Sequence, residues 1–312
     1  MATIDESTVV RMPVAGSARP RSAPRRLLVI YNPAAGRRPR RRLDIILSYL
    51  TELGSAFVLR ETGARGDAEA IARAADPAEF DAVVAAGGDG TINEIVNGLA
   101  ESALPLAILP LGTGNVLANE LGLPHSPRRL AALAAFGAEK RIWTGEVGAR
   151  RFVAMAGIGF DAAVVAGLDE ALKRRIGKLA FVWQIIVQLW RYEAQRYRIV
   201  CGEAEHLPAS AVIVKGRFYA GRFVLAPAAR LDEPALHVVL FGRTGRSAAL
   251  RYLAALVVGM THRLRDVTIL PTQSLTILGP SGMPVEGDGD IIATLPVTIR
   301  ISDRPLFVVG PG

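Results

Sequence analysis

Residues 82–98 read AVVAAGGDGTINEIVNG. The small apolar run Ala82–Ala86 predicts a short buried strand, Thr91–Leu99 predicts a helix, and Gly87, Gly88, Asp89 and Gly90 lie between them. Glycine removes side-chain bulk and lets backbone amides turn inward. The helix start adds unsatisfied amides and the positive end of a dipole. Strand, glycine turn and helix in that order make a seat for an anion the size of a di- or triphosphate. Asp89 cannot ligate an anion, so its work is to hold Mg²⁺ against the phosphates or to orient the turn, while Thr91 can donate to a phosphate oxygen. Taken alone, the same letters also spell an ordinary Asp-Gly turn with Thr91 as a helix cap.

Two neighbouring stretches repeat the pattern. Leu27–Tyr31 predicts a strand that ends in Asn32-Pro33-Ala34-Ala35-Gly36, and Leu106–Leu109 predicts one that leads to Gly112-Thr113-Gly114-Asn115. Another strand is expected at Ala56–Arg60. Helices are expected at Arg40–Leu53, where Leu43, Ile46, Leu47 and Leu50 share one face, and at Asp67–Ala75, Val116–Leu121 and Pro127–Phe136. Short apolar strands alternating with helices describe an α/β N-terminal domain with a largely parallel sheet, at whose carboxyl edge all three loops converge. After about Arg141 the pattern becomes β-rich: Phe152–Ala156, Arg196–Cys201, Ala211–Lys215, Leu236–Phe241, Val267–Leu270, Val297–Ile301 and Leu306–Val309, with helices near Leu168–Trp190 and Ser247–Met260. The expected organisation is a flexible basic extension over 1–26, a nucleotide-binding domain over 27–145 and a β-rich domain over 146–312.

The chain has 312 residues and a formal charge of +8. Ten arginines between Arg11 and Arg42 oppose only Asp5 and Glu6, so that segment carries the whole excess. Such a patch suits a solubilising arm or attraction to an anionic membrane. No zinc-ligand spacing or interleaved aromatic platform accompanies it, so nucleic acid is not expected as a partner. The single Cys201 excludes an intrachain disulfide framework and fits a reducing, cytoplasmic setting. No secretory signal is read at the start, and no apolar run reaches the roughly 18 residues that a bilayer span requires. Neither common nucleotide loop is present: GxxxxGK[ST] is missing, and Gly157-Ile158-Gly159-Phe160-Asp161 lacks the third glycine of GxGxxG. That last stretch reads equally as a tight turn or as part of the cleft lining.

GGDGTINEIVNG at 87–98, NPAAG at 32–36 and LGTGNVLANELGLP at 111–124 together closely resemble the diacylglycerol kinase catalytic family, which includes bacterial lipid kinases and sphingosine kinases. The resemblance covers about residues 26–310. It implies ATP-dependent phosphoryl transfer, with Mg²⁺, to a lipid alcohol such as diacylglycerol, in the cleft between the two domains. It also implies nucleotide or phosphate contacts at Asn32, Thr62, Gly87, Gly88, Asp89, Gly90, Thr91, Gly112 and Thr113, with Asn93 and Glu94 close behind. A peripheral position at the inner face of the membrane would suit such a substrate.

The second domain departs from the family pattern twice. The family's Asp-Gly-Glu run, whose glutamate is the proposed proton acceptor, is matched by Asp288-Gly289-Asp290. Asp290 is one methylene shorter, a loss of about 1 Å in reach where proton transfer needs contact at roughly 2.6–3.2 Å. Asp290 is the expected base, with Asp288 or Glu286 as alternatives; an acidic turn without chemistry is the bland reading. Second, Leu231–Leu236 resembles a segment in which an aspartate followed by glycine helps hold a structural Mg²⁺. Glu233 keeps an acid, but Pro234 replaces the glycine and supplies no amide. Ile176–Trp190 places Leu179, Val182, Trp183, Ile186, Val187 and Trp190 on one helical face, suited to core packing or to lipid contact. His125, His206, His237, His262 and Cys201 lack the spacing of catalytic or ligating residues. Two rivals remain at this point: an NAD-kinase-like enzyme acting on a soluble metabolite, since related folds share GGDGT, and a non-catalytic nucleotide- or lipid-binding protein.

Overall fold

In the computed structural model, residues 21–36, 39–167, 184, 187–188 and 195–311 are described. The expected 1–20 part of the basic extension and almost all of the apolar stripe around Trp183 lie outside them.

The first domain is built on β1 (Leu27–Tyr31), β2 (Phe57–Glu61), β3 (Ala82–Gly87) and β4 (Leu106–Pro110), which pair in parallel in the order β2-β1-β3-β4. Every residue of β1 and of β3 is buried, as expected where helices cover both faces of a parallel sheet. The helices are α1 (Pro39–Glu52), α2 (Asp67–Arg73), α3 (Asp89–Gly98), α4 (Val116–Glu120) and α5 (Pro127–Phe136). On α1 the buried face is Leu43, Ile46, Leu47 and Leu50, a spacing of three and four that forms one stripe. α1 packs on α5 and α2 on α3. Because β1 is followed by β2 on one side and β3 lies on the other, the strand order reverses at β1 and β3. The loops leaving those two strands flank the crevice where open α/β sheets bind ligands.

β5 (Ala138–Ile142) leads into the second domain. There β6 (Gly145–Val147), β7 (Arg150–Phe152), β8 (Met155–Ile158), helix α6 (Phe160–Ala166), β9 (Arg198–Cys201), β10 (Ala204–His206), β11 (Ser210–Val214), β12 (Phe218–Tyr219) and β13 (Phe223–Val224) follow in turn. After them come β14 (Leu236–Phe241), β15 (Val267–Thr272), β16 (Ser274–Leu278), β17 (Pro284–Gly287), β18 (Asp290–Thr294), β19 (Val297–Ile301) and β20 (Leu306–Gly310), with a helix at Arg246–Val257 between β14 and β15. Two six-stranded sheets, β10-β9-β16-β19-β6-β7 and β15-β14-β11-β8-β17-β18, face each other across a shared core. Ile199, Leu275, Ile277 and Ile299 of one meet Ile213, Val238 and Val285 of the other. The α/β domain with a largely parallel sheet and the β-rich second domain are therefore both present.

Three local expectations are corrected. Leu306–Val309 was expected in the second domain, but β20 joins the first sheet between β4 and β5, with Val308 opposite Leu106. An apolar strand does not encode which edge it will complete. Residues 21–26, expected in the flexible extension, are anchored on α5. The amides of Arg21 and Arg25 donate to the carbonyls of Phe136 and Ala135, and the fully buried Arg25 guanidinium donates to the carbonyls of Ala134 and Gly137 and pairs with Glu139. A cation at the carbonyl end of a helix is favoured by the dipole and satisfies acceptors that the helix cannot. Finally, Phe152–Ala156 is not one strand: it breaks at Val153 and Ala154, between β7 and β8.

Val308 is fully buried in the strand that closes the first sheet. Val308→Asp should therefore destabilise the protein by about 3 kcal/mol or more, since an unpaired charge would be buried. The shift of the urea midpoint measures it.

Candidate functional site

The three glycine loops meet, and at Gly36 and Gly112 they leave no room for a larger residue. Gly36 adopts φ +77°, and a Cβ there would lie 2.2 Å from the carbonyl oxygen of Leu111. A Cβ on Gly112 would lie 2.5 Å from the Cα of Gly88. The first loop is also tied to α3, because Asn32 Nδ2 donates to Thr91 Oγ1 at 3.0 Å while Asn32 Oδ1 accepts the amide of Ala34 at 2.9 Å. Thr62 is buried at the end of β2, its amide bonded to the carbonyl of Tyr31. Gly88 and Gly90 thus flank the N-terminus of α3, with Gly112 against Gly88 and Thr113 exposed in the third loop.

Asp89 takes up the orienting role. Its Oδ2 accepts the amide of Asn115 at 2.8 Å and its Oδ1 that of Val116 at 2.6 Å, so it caps α4 and locks the second loop to the third. A Cβ on Gly114 would strike that carboxylate at 2.4 Å. Burial pushes the Asp89 carboxyl up, and the two amides pull it back. Glu94 faces away from the loops and accepts the amide of Ala68, at the start of α2.

Across the cleft, Asp288 and Gly289 form a two-residue turn between β17 and β18, both with positive φ (+52° and +90°) and with Gly287 paired to Asp290. Two left-handed residues fit the tight turn of a hairpin. The Asp288 carboxylate is consumed by four donors: the amides of Val153 (2.7 Å), Ala154 (2.8 Å) and Met155 (3.0 Å), and Asn93 Nδ2 at 2.7 Å. Those amides are turned toward Asp288 rather than toward a neighbouring strand, which is why β7 and β8 are separate. Asn93 also donates to the carbonyl of Arg151, and Asn97 both donates to that carbonyl and accepts the Arg151 amide. The back of α3 therefore clamps the second domain. Asn93 serves this clamp instead of reaching the loops, a role invisible without knowing which backbone segment lies opposite.

Asp290 follows the turn. Its Oδ2 pairs with Arg65 Nη2 at 3.1 Å, linking β18 to the loop that begins at Thr62. Glu286 is fully buried and accepts the amide of Gly289, so it does not line the cleft. Glu233 is an exposed residue paired with Arg230 at 3.3 Å. Near it the ammonium of the fully buried Lys215 donates to the Arg230 carbonyl, and burial lowers its pKa to about 8. Among the described residues no group of three or more acidic, histidine or cysteine side chains is placed to hold a metal. Each Asp89 oxygen accepts one amide and keeps a second lone pair, and Glu233 pairs with an exposed guanidinium, so these acids could supply at most single carboxylate ligands rather than a cage. Mg²⁺ would enter as part of the nucleotide substrate, held mainly by phosphate oxygens and water.

A cavity of about 290 Å³ adjoins the third loop, lined in part by Arg42, Gly112, Thr113, Asn115 and His125. It does not include Thr62 or Asp290. Among the described residues no helix is long and apolar enough to cross a membrane.

Residues 26–147 match the model of the diacylglycerol kinase catalytic domain, and residues 154–310 match that of the YegS C-terminal NAD kinase beta sandwich-like domain. A protein of Chromohalobacter salexigens named "Probable lipid kinase YegS-like" is 33% identical over 61% of this chain and 63% of its own length, so the match spans just under two thirds of that relative. A Pseudomonas aeruginosa protein of the same name is 35% identical over 68% of this chain and 70% of its own. The crystal structure of a diacylglycerol kinase from Bacillus anthracis str. Sterne superposes with a TM-score of 0.70 at 20% identity, covering 91% of this chain and 96% of that one, which shows a common fold. With both domain models matched in order along one chain, this protein belongs to the diacylglycerol kinase catalytic family, in its bacterial lipid kinase branch.

Proposed function

We propose that this chain transfers the γ-phosphate of MgATP to the hydroxyl of a lipid alcohol, diacylglycerol or a close relative, in the cleft between its domains. One observation carries the proposal: of the acids at the β17–β18 turn, Asp288 is spent on backbone amides and Glu286 is buried, whereas Asp290 projects to the Thr62–Arg65 side of the cleft.

Amides of the second and third loops and the N-terminus of α3 would receive the phosphates, and the lipid hydroxyl would approach from the side of Asp290. As the hydroxyl oxygen bonds to the γ-phosphorus, the bond to the β,γ-bridging oxygen breaks, ADP leaves and the hydroxyl proton passes to Asp290. Charge on the transferring group is met by dipoles already fixed in place by the interlocked glycines, so little reorganisation is required.

Labelled-ATP transfer to a panel of purified lipid alcohols, with products identified by mass, tests the reaction. Transfer to NAD without transfer to lipids, or bound ATP with no transfer at all, would overturn it. Asp290→Asn should lower kcat by roughly 100-fold or more while ATP affinity and thermal midpoint stay near wild type. Asp288→Ala should do the reverse in kind, lowering the unfolding free energy by about 3 kcal/mol as four donors lose their acceptor. Chemical denaturation separates the two. Gly112→Ala should weaken ATP binding at least about 10-fold, because its Cβ meets backbone rather than a movable side chain; titration calorimetry reads the change.

A further inference from the structure

Beneath the Asp288-Gly289 turn lies a pair of carboxyl groups to which phosphoryl transfer assigns no task. Glu286, on β17, is fully buried; Asp161 sits in the first turn of α6. The two side chains point at one another over Gly157. Glu286 Oε1 and Asp161 Oδ2 are both buried, and neither has a hydrogen-bond partner among the described residues. They converge on Gly157, where a Cβ would lie 2.3 Å from Asp161 Oδ2 and 2.9 Å from Glu286 Oε1. The remaining oxygens are occupied: the Tyr219 hydroxyl donates to Asp161 Oδ1, and the Gly289 amide donates to Glu286 Oε2 at 3.0 Å. Two ionised carboxylates have no hydrogen to share and repel one another out of water. A single proton between them removes both difficulties.

We propose that Asp161 and Glu286 share one proton and act as positioning residues for Asp290, keeping Glu286 Oε2 on the amide of Gly289. The proposal rests on the reading of Asp290 as base. Gly289 immediately precedes Asp290, and the turn is pinned at two points: at Asp288 by its four donors and at Gly289 by Glu286. The direction in which Asp290 leaves the turn follows from both pins.

Among the described residues the ionisable groups that face the pair are Tyr219 on β12 and Asp288 in the turn, and neither is cationic. Burial, together with the neighbouring Asp161 charge, pushes the Glu286 carboxyl well up, and burial also raises Asp161. A raised carboxyl holds its proton below its pKa and releases it as pH climbs. The alignment of Asp290 is accordingly present at lower pH and lost on the alkaline side, where two adjacent negative charges would drive Glu286 off Gly289.

The experiment uses the full chain, MgATP and whichever lipid alcohol it phosphorylates. Glu286→Ala should lower kcat by roughly 30-fold or more with the KM for ATP within about 3-fold, because the loss concerns the base and not the phosphate loops. Glu286→Gln should restore kcat to within about 3-fold of wild type, since its amide nitrogen donates to Asp161 while its oxygen still accepts from Gly289. It should also lack the wild-type alkaline fall in kcat. Asp161→Asn should be tolerated for the mirror-image reason. The double variant Asp161→Asn/Glu286→Gln should lose activity, because two amide nitrogens then meet without an acceptor. An infrared band of a protonated buried carboxyl should be present in wild type and absent from Glu286→Gln, whether or not the double variant folds. Glu286→Gln as damaging as Glu286→Ala, or a wild type without the protonated-carboxyl band, would overturn the shared proton. Full turnover in Asp290→Asn would instead remove the base and with it the positioning role, while the infrared band would still decide the proton.

Discussion

The carboxylate of Asp288 ties a turn of the second domain to a strand break and to helix α3 of the first. A charged acceptor enclosed by protein must be given donors, and here three consecutive backbone amides and one side-chain amide supply them. To present those amides the chain between β7 and β8 leaves its sheet, and to present the carboxylate Asp288 takes a left-handed conformation. The fourth donor, Asn93, belongs to the other domain and to the helix that opens at the glycine turn Gly87–Gly90. One electrostatic requirement thereby sets a strand break, a tight turn and an interdomain contact at once. Charge-assisted hydrogen bonds of this kind are worth more than neutral ones and are costly to leave half made, which gives the arrangement its rigidity.

The same logic governs the phosphate side, where backbone does the work that side chains do elsewhere. Gly88 and Gly112 allow two main chains to touch, and Gly114 lets the Asp89 carboxylate reach the start of α4. Asp89 is thus an internal stand-in for an anion at a helix N-terminus, and it leaves the N-terminus of α3 open for an external one. At the other end of α4, Glu120 accepts the amide of Phe218, so this short helix is fixed at one end by the second loop and at the other by the second domain.

Much of this was legible in the sequence, and the part that was not has a common physical cause. Continuous apolar runs at Leu27–Tyr31 and Ala82–Gly87 identify buried parallel strands because burial on both faces leaves no alternation to misread. The glycine loops are legible because few other roles demand that spacing. What escaped were features whose partners are distant in the chain. β20 finds its edge over a hundred residues from β5's neighbours in sequence, Arg25 caps a helix that ends at Phe136, and Asp288 satisfies amides at 153–155. An aspartate in a motif looks the same whether it meets solvent, a metal or three amides. Glu286 and Asp161, far apart in sequence, show no pattern at all until β17 and α6 bring them together.

If Asp290 is the base proposed above, these constraints explain how an aspartate can stand where the Asp-Gly-Glu resemblance implies a glutamate. A glutamate has an additional rotatable bond with which to find the hydroxyl, so modest error in its backbone can be absorbed. An aspartate has no such allowance, and its carboxylate goes where its Cα and χ1 direct it. Precision must then come from the main chain, and the turn before Asp290 is held from two directions. One hold runs straight across the cleft, from α3 through Asn93 to Asp288. The other runs behind it, from Asp89 along α4 to Glu120 and the segment Phe218–Tyr219 and on to Asp161, and the proposed shared proton would join Asp161 to Glu286 and so to the Gly289 amide. Both begin on α3, so the separation between the start of that helix and Asp290 is set by short contacts rather than by a hinge. A shorter acid on a more tightly held turn can reach the same point as a longer acid on a looser one.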